Sequence, residues 1–557
     1  MITSLIIALV LVPLLRGNGG NSAFYACEGM VVSAHPLASA AGLQLLQARG
    51  NAFDAAIATE FALAVVFPVA GNLGGGGFAV VRAADGTIET LDYREQSPAA
   101  ATRDMYLDAD GKPIAQLSTR GALAVGIPGT VDGMYRLHQK YGSKPWPELL
   151  APAIRLARSG WPLTLKEAAL LNRHLQELTE ENGSYSYLTR RKQWQPGDSL
   201  FAPQLATTLE RIAHQGRDGF YRGPVADSLL ALMRWEGGLI DSADLDNYRA
   251  RWRPSLSFRW QEYEFHSMGP PSSGGILLGQ MWQMAHQYPI DKRGRNNGDA
   301  IEIIIEAERR AYADRSRWLG DPDFVDVPTE ALLAPDYLRK RMSSYTPEHA
   351  TPSKKLQAGK PLPESDQTTH YCVADSRGNY ISATTSLNGA YGSKLIVPGA
   401  GFLLNNTMDD FSIAPGIPNS YGLVGSEANA VAPGKRMLSS MTPTLVLKNQ
   451  QPYLLTGTPG GSTIPTTVLQ VLLNVIDYQM DMQMAVSLPR FHHQWLPDEV
   501  RYESGRFNKT QLRRLKANGY KTTQRDPWGR AEGIRILPDG TLEGGADPRG
   551  DDTVLGY

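Results

Sequence analysis

One layered α/β body, with sheets that take strands from both halves of the chain, is the fold the sequence predicts. Three observations carry this. Strand-like and helix-like stretches are mixed on both sides of a Pro-, Lys- and Gly-rich linker at about Thr351–Gln367, no shift in composition marks a domain boundary, and no internal repeat occurs. At 557 residues the chain is long enough for a large core. It is 42% hydrophobic and 20% charged, with a formal net charge of -1. That neutrality argues against a nucleic-acid partner, which requires a basic surface. The two cysteines, Cys27 and Cys372, cannot form a disulfide framework.

The first element is "SLIIALVLVPLL" (Ser4–Leu15), an apolar run too short to span a bilayer comfortably. Small residues near Ala23 and Ala26 follow it, and the arrangement resembles a secretory signal, although no Lys or Arg precedes the run. Residues 1–26 are expected to be a signal peptide and the protein periplasmic or secreted. "FYAC" matches a lipid-attachment box poorly, so no lipid anchor is expected at Cys27. "PLASAAGLQLLQARGN" predicts a helix that opens at Pro36 and stops at Gly50. "AFDAAIATEFALAVVF" is apolar on most sides and predicts a helix buried between layers. "GNLGGGGF" leads into the strand "FAVVRA", and a turn at Asp85-Gly86 introduces "TIETLDYRE". From about Leu149 to Asp314 the pattern reads mainly as helices. After the linker, "HYCVAD" and "YISATTSL" predict a hairpin turning at Ser376–Asn379. "GFLLNN" reads as a short strand, and "TPTLVLKNQQPYLLTGTPGGS" holds another hairpin. "IPTTVLQVLLNVIDYQM" predicts a helix starting directly after Gly460-Gly461-Ser462.

Candidate chemistry begins at the seam between linker and strand. A threonine hydroxyl is a poor nucleophile unless something takes its proton, and a residue's own free α-amine can do so. Thr368 acquires that amine only if the bond after Gln367 is cut; otherwise Thr368 and Thr369 simply open a strand, as β-branched residues do. Gly460 and Gly461, at a strand-to-helix turn, can present amides to a developing oxyanion, or serve backbone geometry alone. Asp410, beside Asp409, can receive an ammonium, and Arg94 at a strand end can fork onto a carboxylate; both types are also common surface residues. Ser439 and Ser440 are small donors or turn formers. His492-His493 point apart on a strand and lack a third ligand at metal spacing, so no metal site is expected.

In combination the motifs resemble the γ-glutamyltranspeptidase family. "QTTHYCVAD", "LNNTMDDFS", "KRMLSSMTPT", "TGTPGGS" and "PRFHHQWLPDEV" occur in the order typical of that family. So do "GMVVSAHPLAS", "GNAFDAAIA", "PVAGNLGGGGF", "LDYRE", "PPSSGGI" and "AYADRSRWLGDPDF", and the likeness runs from about Gly29 through "DPRGDD". The resemblance implies an N-terminal nucleophile hydrolase with a four-layer αββα core. It implies a precursor that cuts itself into a large subunit (27–367) and a small catalytic subunit (368–557), associated as one heterodimeric body. Thr368 is then the nucleophile and new N-terminus. Ser386 stands where a hydroxyl holds the nucleophile's amine, and Gly460 and Gly461 form the oxyanion hole. Asn388 and Asp410 match residues that hold the substrate's α-amino group; Arg94, Ser439 and Ser440 match those that hold its α-carboxylate. Thr407 replaces a Gln or Glu that often reaches the same amino group, and Tyr421 matches an aromatic lid residue of bacterial members. Cys372 stands where serine is frequent. No cofactor is implied. Glutathione and other γ-glutamyl compounds are the expected donors, with water, amino acids or dipeptides as acceptors. The competing readings are a glutaryl-cephalosporin-type acylase of the same fold and a non-catalytic periplasmic binder of γ-glutamyl peptides; a metal hydrolase is a distant third.

Overall fold

The computed structural model describes residues 22–184, 186–356, 367–414, 426–505 and 507–557. Fourteen strands, seven to a sheet, make up its two large sheets. In chain order they are β1 (Phe24–Ala26), β2 (Gly29–Ser33), β3 (Gly76–Arg82), β4 (Ile88–Asp92), β5 (Arg251–Arg253), β6 (Leu256–Trp260) and β7 (Tyr263–Ser267). There follow β8 (Gln367–Asp375), β9 (Tyr380–Asn388), β10 (Thr444–Lys448), β11 (Gln451–Gly457), β12 (Glu532–Ile536), β13 (Leu542–Ala546) and β14 (Thr553–Gly556). The first sheet runs β14-β2-β8-β9-β3-β4-β5 and the second β1-β13-β12-β11-β10-β7-β6. Neighbouring strands in both are antiparallel.

Alternation of side chains along these strands builds a sandwich. Val32, Val80, Cys372 and Ala374 of the first sheet face Leu445, Leu455 and Ile534 of the second across an apolar middle layer. The opposite face of the first sheet, with Val373, Ile381 and Ala383, is covered by the helices Pro36–Gln47 and Ala52–Val66. The outer face of the second, with Phe265, Val446 and Leu454, packs on Gly274–Ala285, Gly298–Trp318 and Ile464–Ile476. The layers are therefore helix, sheet, sheet, helix. Both sheets take strands from either side of residue 368, as the mixed texture of the sequence predicts. Among the described residues no helix is long and apolar enough to cross a membrane.

The helix Ala52–Val66 is buried at every residue, which accounts for its apolar run. Its start is fixed by a capping box: Asp54 N donates to Asn51 Oδ1 and Asn51 N to Asp54 Oδ2, both at 2.9 Å. Its one carboxylate away from the caps, Glu60, is 0% exposed. Burial pushes that carboxyl up to about 7 from an ordinary 4.5, while Thr385 and Tyr371 beside it pull the other way. A folded-state value above the unfolded one means that ionisation opposes folding. The associated stability is whole below the ordinary value and is lost as pH rises through 7. The shift corresponds to roughly 3 kcal/mol. Glu60→Gln should remove this dependence, so its Tm relative to wild type should climb between about pH 5 and pH 8 in parallel thermal melts.

One expectation needs refinement and one correction. The stretch read mainly as helices from Leu149 to Asp314 is mainly helical, but it also contains β5 and β6, an edge strand of each sheet, and β7 beside β6. In β6 the buried Leu256 and Phe258 alternate with the exposed Ser257 and Arg259, a period of two too short to stand out among long helices. "GFLLNN" forms no strand; it makes isolated bridges only, Ile396 with Leu403 and Gly74 with Leu404.

Candidate active site

One end of the sandwich gathers the predicted site. In the first sheet the register pairs Thr368 with Ser386, Ser386 with Gly76, and Phe78 with Asp92. The start of β8, the end of β9, the start of β3 and the end of β4 therefore lie together, and Arg94 follows at once. In the second sheet Thr444 pairs with Thr456 and with Ser267, and Gly457 with Glu532, so the loops before β10 and after β11 leave from a common end. The two ends coincide. Ser382 Oγ, on β9, donates to Thr456 O at 3.1 Å and accepts from Thr444 N at 3.2 Å. Gly457 lies so close to the ring of His370 that a Cβ there would fall 2.3 Å from it, so only glycine fits.

The two adjacent threonines point opposite ways, because successive side chains of a strand do. Thr368 shares the middle-layer side with His370 and Cys372, and its Oγ lies 3.3 Å from Ser386 Oγ. Thr369 faces the helix layer with Tyr371, and its hydroxyl makes no hydrogen bond among the described residues. Ser386 Oγ also accepts from Asn388 N at 2.8 Å, and within the Thr368–Ser386 pair either hydroxyl can be the donor. Thr368 is 7% exposed. Behind it His370 hydrogen-bonds Thr384 Oγ1 at 2.9 Å and lies 3.3 Å from Cys372 Sγ. Burial pushes that imidazole down to about 3, so it is neutral.

Asn388 carries the left-handed φ of 73°, tolerated by asparagine, and donates through Nδ2 to Asn406 O at 3.1 Å. That contact leads into the turn Thr407–Asp410. The aspartate pair splits here. Asp409 accepts from Ser118 Oγ at 2.6 Å, whereas Asp410 forms an ion pair with Arg94, which is 1% exposed. Arg94 also reaches Glu95 Oε2 at 3.3 Å and Met437 O at 3.4 Å. Burial pushes the Glu95 carboxyl up to about 6 against the pull of Arg94. The strand end that carries Arg94 is pinned by Asp92, which accepts from Arg94 N at 3.0 Å and pairs with Arg436 and Arg253. Asn429 ties the remaining pieces: it donates to Asp410 O at 2.7 Å and accepts from Leu438 N at 3.0 Å. Thr407 is buried and spends its proton on Asn405 Oδ1 at 2.7 Å.

Beyond β11 the backbone of Gly460 and Gly461 takes φ values of 136° and 54°, which side chains other than glycine resist. Gly460 O accepts from Thr463 N at 3.0 Å and Oγ1 at 2.7 Å, closing a tight turn into the helix Ile464–Ile476. Sequence reasoning assigned no role to the helix Gly298–Trp318, although it braces both loops. Tyr312 OH donates to Ser462 O, and one turn later Arg315 reaches Ser440 Oγ at 3.3 Å and Ser273 Oγ at 3.1 Å. The signal was present in "PPSSGGI" and "AYADRSRWLGDPDF", quoted above as motifs without a function. Tyr421 lies outside the described residues. His492 bonds Thr466 Oγ1 and Gln494 Oε1, both at 2.9 Å, while His493 turns towards Asp498 at 3.4 Å, so the two histidines do point apart.

Residues 38–557 match the family model "Gamma-glutamyltranspeptidase". The glutathione hydrolase proenzyme of Escherichia coli (strain K12) is 45% identical over 534 residues, covering 95% of this chain and 92% of that protein. The acylase ACY 1 proenzyme of Pseudomonas sp. (strain SE83) is 37% identical over 95% of this chain and 93% of its own length. Among solved structures, cephalosporin acylase from Bacillus halodurans superposes with a TM-score of 0.85 at 28% identity, covering 96% of this chain and 97% of that one. Helicobacter pylori γ-glutamyltranspeptidase superposes with a TM-score of 0.57 at 41% identity, covering 59% of this chain and 94% of that one. The helix–sheet–sheet–helix order is that of the N-terminal nucleophile hydrolases, and the chain belongs to the γ-glutamyltranspeptidase family of enzymes.

Proposed function

We propose that this enzyme hydrolyses and transfers the γ-glutamyl group of glutathione and related compounds through an ester on Thr368. In the continuous chain the Thr368 nitrogen is an amide. Attack of its Oγ on the Gln367 carbonyl breaks that C–N bond and forms an ester, which water hydrolyses to the Gln367 carboxylate and a free Thr368 amine. The chain then consists of a large piece ending at Gln367 and a small piece, 368–557, that remain interleaved through both sheets. In catalysis the freed amine takes the hydroxyl proton, Oγ attacks the γ-carbonyl, and the amides of Gly460 and Gly461 receive the oxyanion. The leaving amine departs with the proton. Water then releases glutamate, or an amino acid or dipeptide carries the γ-glutamyl group away. The names of the proenzyme relatives support the precursor step. The apolar run near the N-terminus, outside the described residues, supports export from the cytoplasm.

One observation carries the substrate class: the Arg94–Asp410 pair at the threonine end of the sandwich. An amino-acid head group bears one charge of each sign on a single carbon. Its carboxylate can take Arg94 with Ser439 and Ser440, and its ammonium can take Asp410 with Asn388. The acylase relatives favour a second reading, in which the acyl group is glutaryl and lacks the ammonium. Asp410 argues against it, since a buried carboxylate facing an apolar methylene loses a partner and gains none. Hydrolysis of γ-L-glutamyl-p-nitroanilide and glutaryl-p-nitroanilide separates the two. The γ-glutamyl reading expects kcat/KM to favour the first by about 100-fold or more; a preference for glutaryl would support the acylase.

A further inference from the structure

We propose that Arg315 is a positioning residue for the substrate carboxylate, acting by orienting the hydroxyl proton of Ser440. The inference rests on the reading of Ser439 and Ser440 as carboxylate donors. A serine hydroxyl has one proton and two lone pairs, so it can point its proton at a carboxylate only if its neighbours do not claim it. Arg315 is a donor without acceptor capacity. Its Nη2 gives a hydrogen to Ser440 Oγ at 3.3 Å and its Nε gives one to Ser273 Oγ at 3.1 Å. Ser273 in turn spends its proton on Ser439 O at 2.8 Å and its amide on the same carbonyl at 2.7 Å. Ser439 Oγ accepts from Met441 N at 3.1 Å. Each serine oxygen thus accepts a hydrogen from behind, which favours turning its own proton outward. Among the described residues the remaining competitor for the Ser440 proton is Ser273 Oγ at 3.5 Å, long for a hydroxyl pair, so a charged carboxylate displaces it.

The placement adds a link between the two halves of the chain. Arg315 and Tyr312 sit one turn apart on one helix, the first on Ser440 and the second on Ser462 beside the oxyanion turn. The carboxylate loop and the oxyanion loop, both after residue 368, are held at a common spacing by a helix before it.

The test is a double-mutant cycle on purified, processed enzyme. Arg315→Met should raise KM for γ-L-glutamyl-p-nitroanilide about tenfold with kcat changed less than about threefold, the loss of one charge-assisted hydrogen bond. Added to Ser440→Ala, it should cost less than about twofold more. With 4-aminobutanoyl-p-nitroanilide, which lacks the α-carboxylate, Arg315→Met should leave kcat/KM within about twofold. Ser273→Ala gives a second reading, about threefold in KM, should Arg315→Met fail to fold or process. Losses that multiply in the double variant, or that appear equally on the substrate without a carboxylate, would overturn the proposal. If Ser440→Ala raises KM while Arg315→Met and Ser273→Ala do not, the inference alone falls. If none of the three moves KM, the carboxylate role of Ser440 falls with it.

Discussion

Thr368→Ala should purify as one uncut chain, with turnover of γ-glutamyl-p-nitroanilide lower by on the order of 10⁴-fold or more. Two separate losses combine in this variant. The methyl group cannot attack the Gln367 carbonyl, so no free amine is made, and it cannot carry the glutamyl ester afterwards. The dipeptide Thr368-Thr369 does not say which hydroxyl acts; strand alternation does. Thr368 turns to the side where Ser386 Oγ waits at 3.3 Å, and Thr369 turns to the helix layer, opposite Thr385. Thr369→Ala should therefore still be cut and keep kcat/KM within about tenfold, since it removes a buried hydroxyl without a hydrogen-bond partner among the described residues. Thr368→Ser, which keeps a hydroxyl, should be cut more slowly and retain activity. Denaturing electrophoresis and intact-mass measurement of the three variants decide the matter: a Thr368→Ala protein that still splits at this bond removes Thr368 from the mechanism.

The residues that could be read from the sequence are those whose local pattern also defines their place. The hairpin of β8 and β9 follows from two alternating runs around Ser376–Asn379, and the buried helix Ala52–Val66 from an apolar run between Asn51 and Phe67. The turn at Gly460-Gly461 is legible because positive φ demands glycine. Roles were not legible in the same way. Arg94, Asp410 and Ser440 each have an ordinary explanation taken singly, and only the family likeness joined them. The structure joins two of them directly, Arg94 to Asp410, and Asn429 ties Asp410 to Leu438, two residues before Ser440. Arg315 lies inside the motif "AYADRSRWLGDPDF", but the motif gives it no role. It meets Ser440 across 125 residues of chain, and no periodicity or spacing records such a contact. The strands β5 to β7 were lost for the opposite reason: their signal is local, but three to five residues long.

Asp410→Asn tests the other half of the mechanism, recognition without chemistry. The amide keeps the shape of the side chain and removes its charge, so the substrate ammonium loses its counterion while Thr368, Ser386 and the glycine turn stay in place. Arg94 keeps Glu95 as a neighbour at 3.3 Å, so the variant does not strand a bare buried cation, and the chain should still be cut. KM for γ-L-glutamyl-p-nitroanilide should rise about 100-fold, the scale of a hydrogen bond between charged groups in a shielded site, and kcat should fall far less. Glutaryl-p-nitroanilide has no ammonium to lose, so its kcat/KM should hold or improve, and the preference between the two substrates should shrink by about the same factor. Asp409→Asn is the matched control. That carboxyl is turned to Ser118 and is held above the usual carboxylate range by burial, so neutralising it should leave the preference unchanged. An Asp410→Asn enzyme with the wild-type ratio of the two kcat/KM values would show that the charge opposite Arg94 serves the fold and not the substrate.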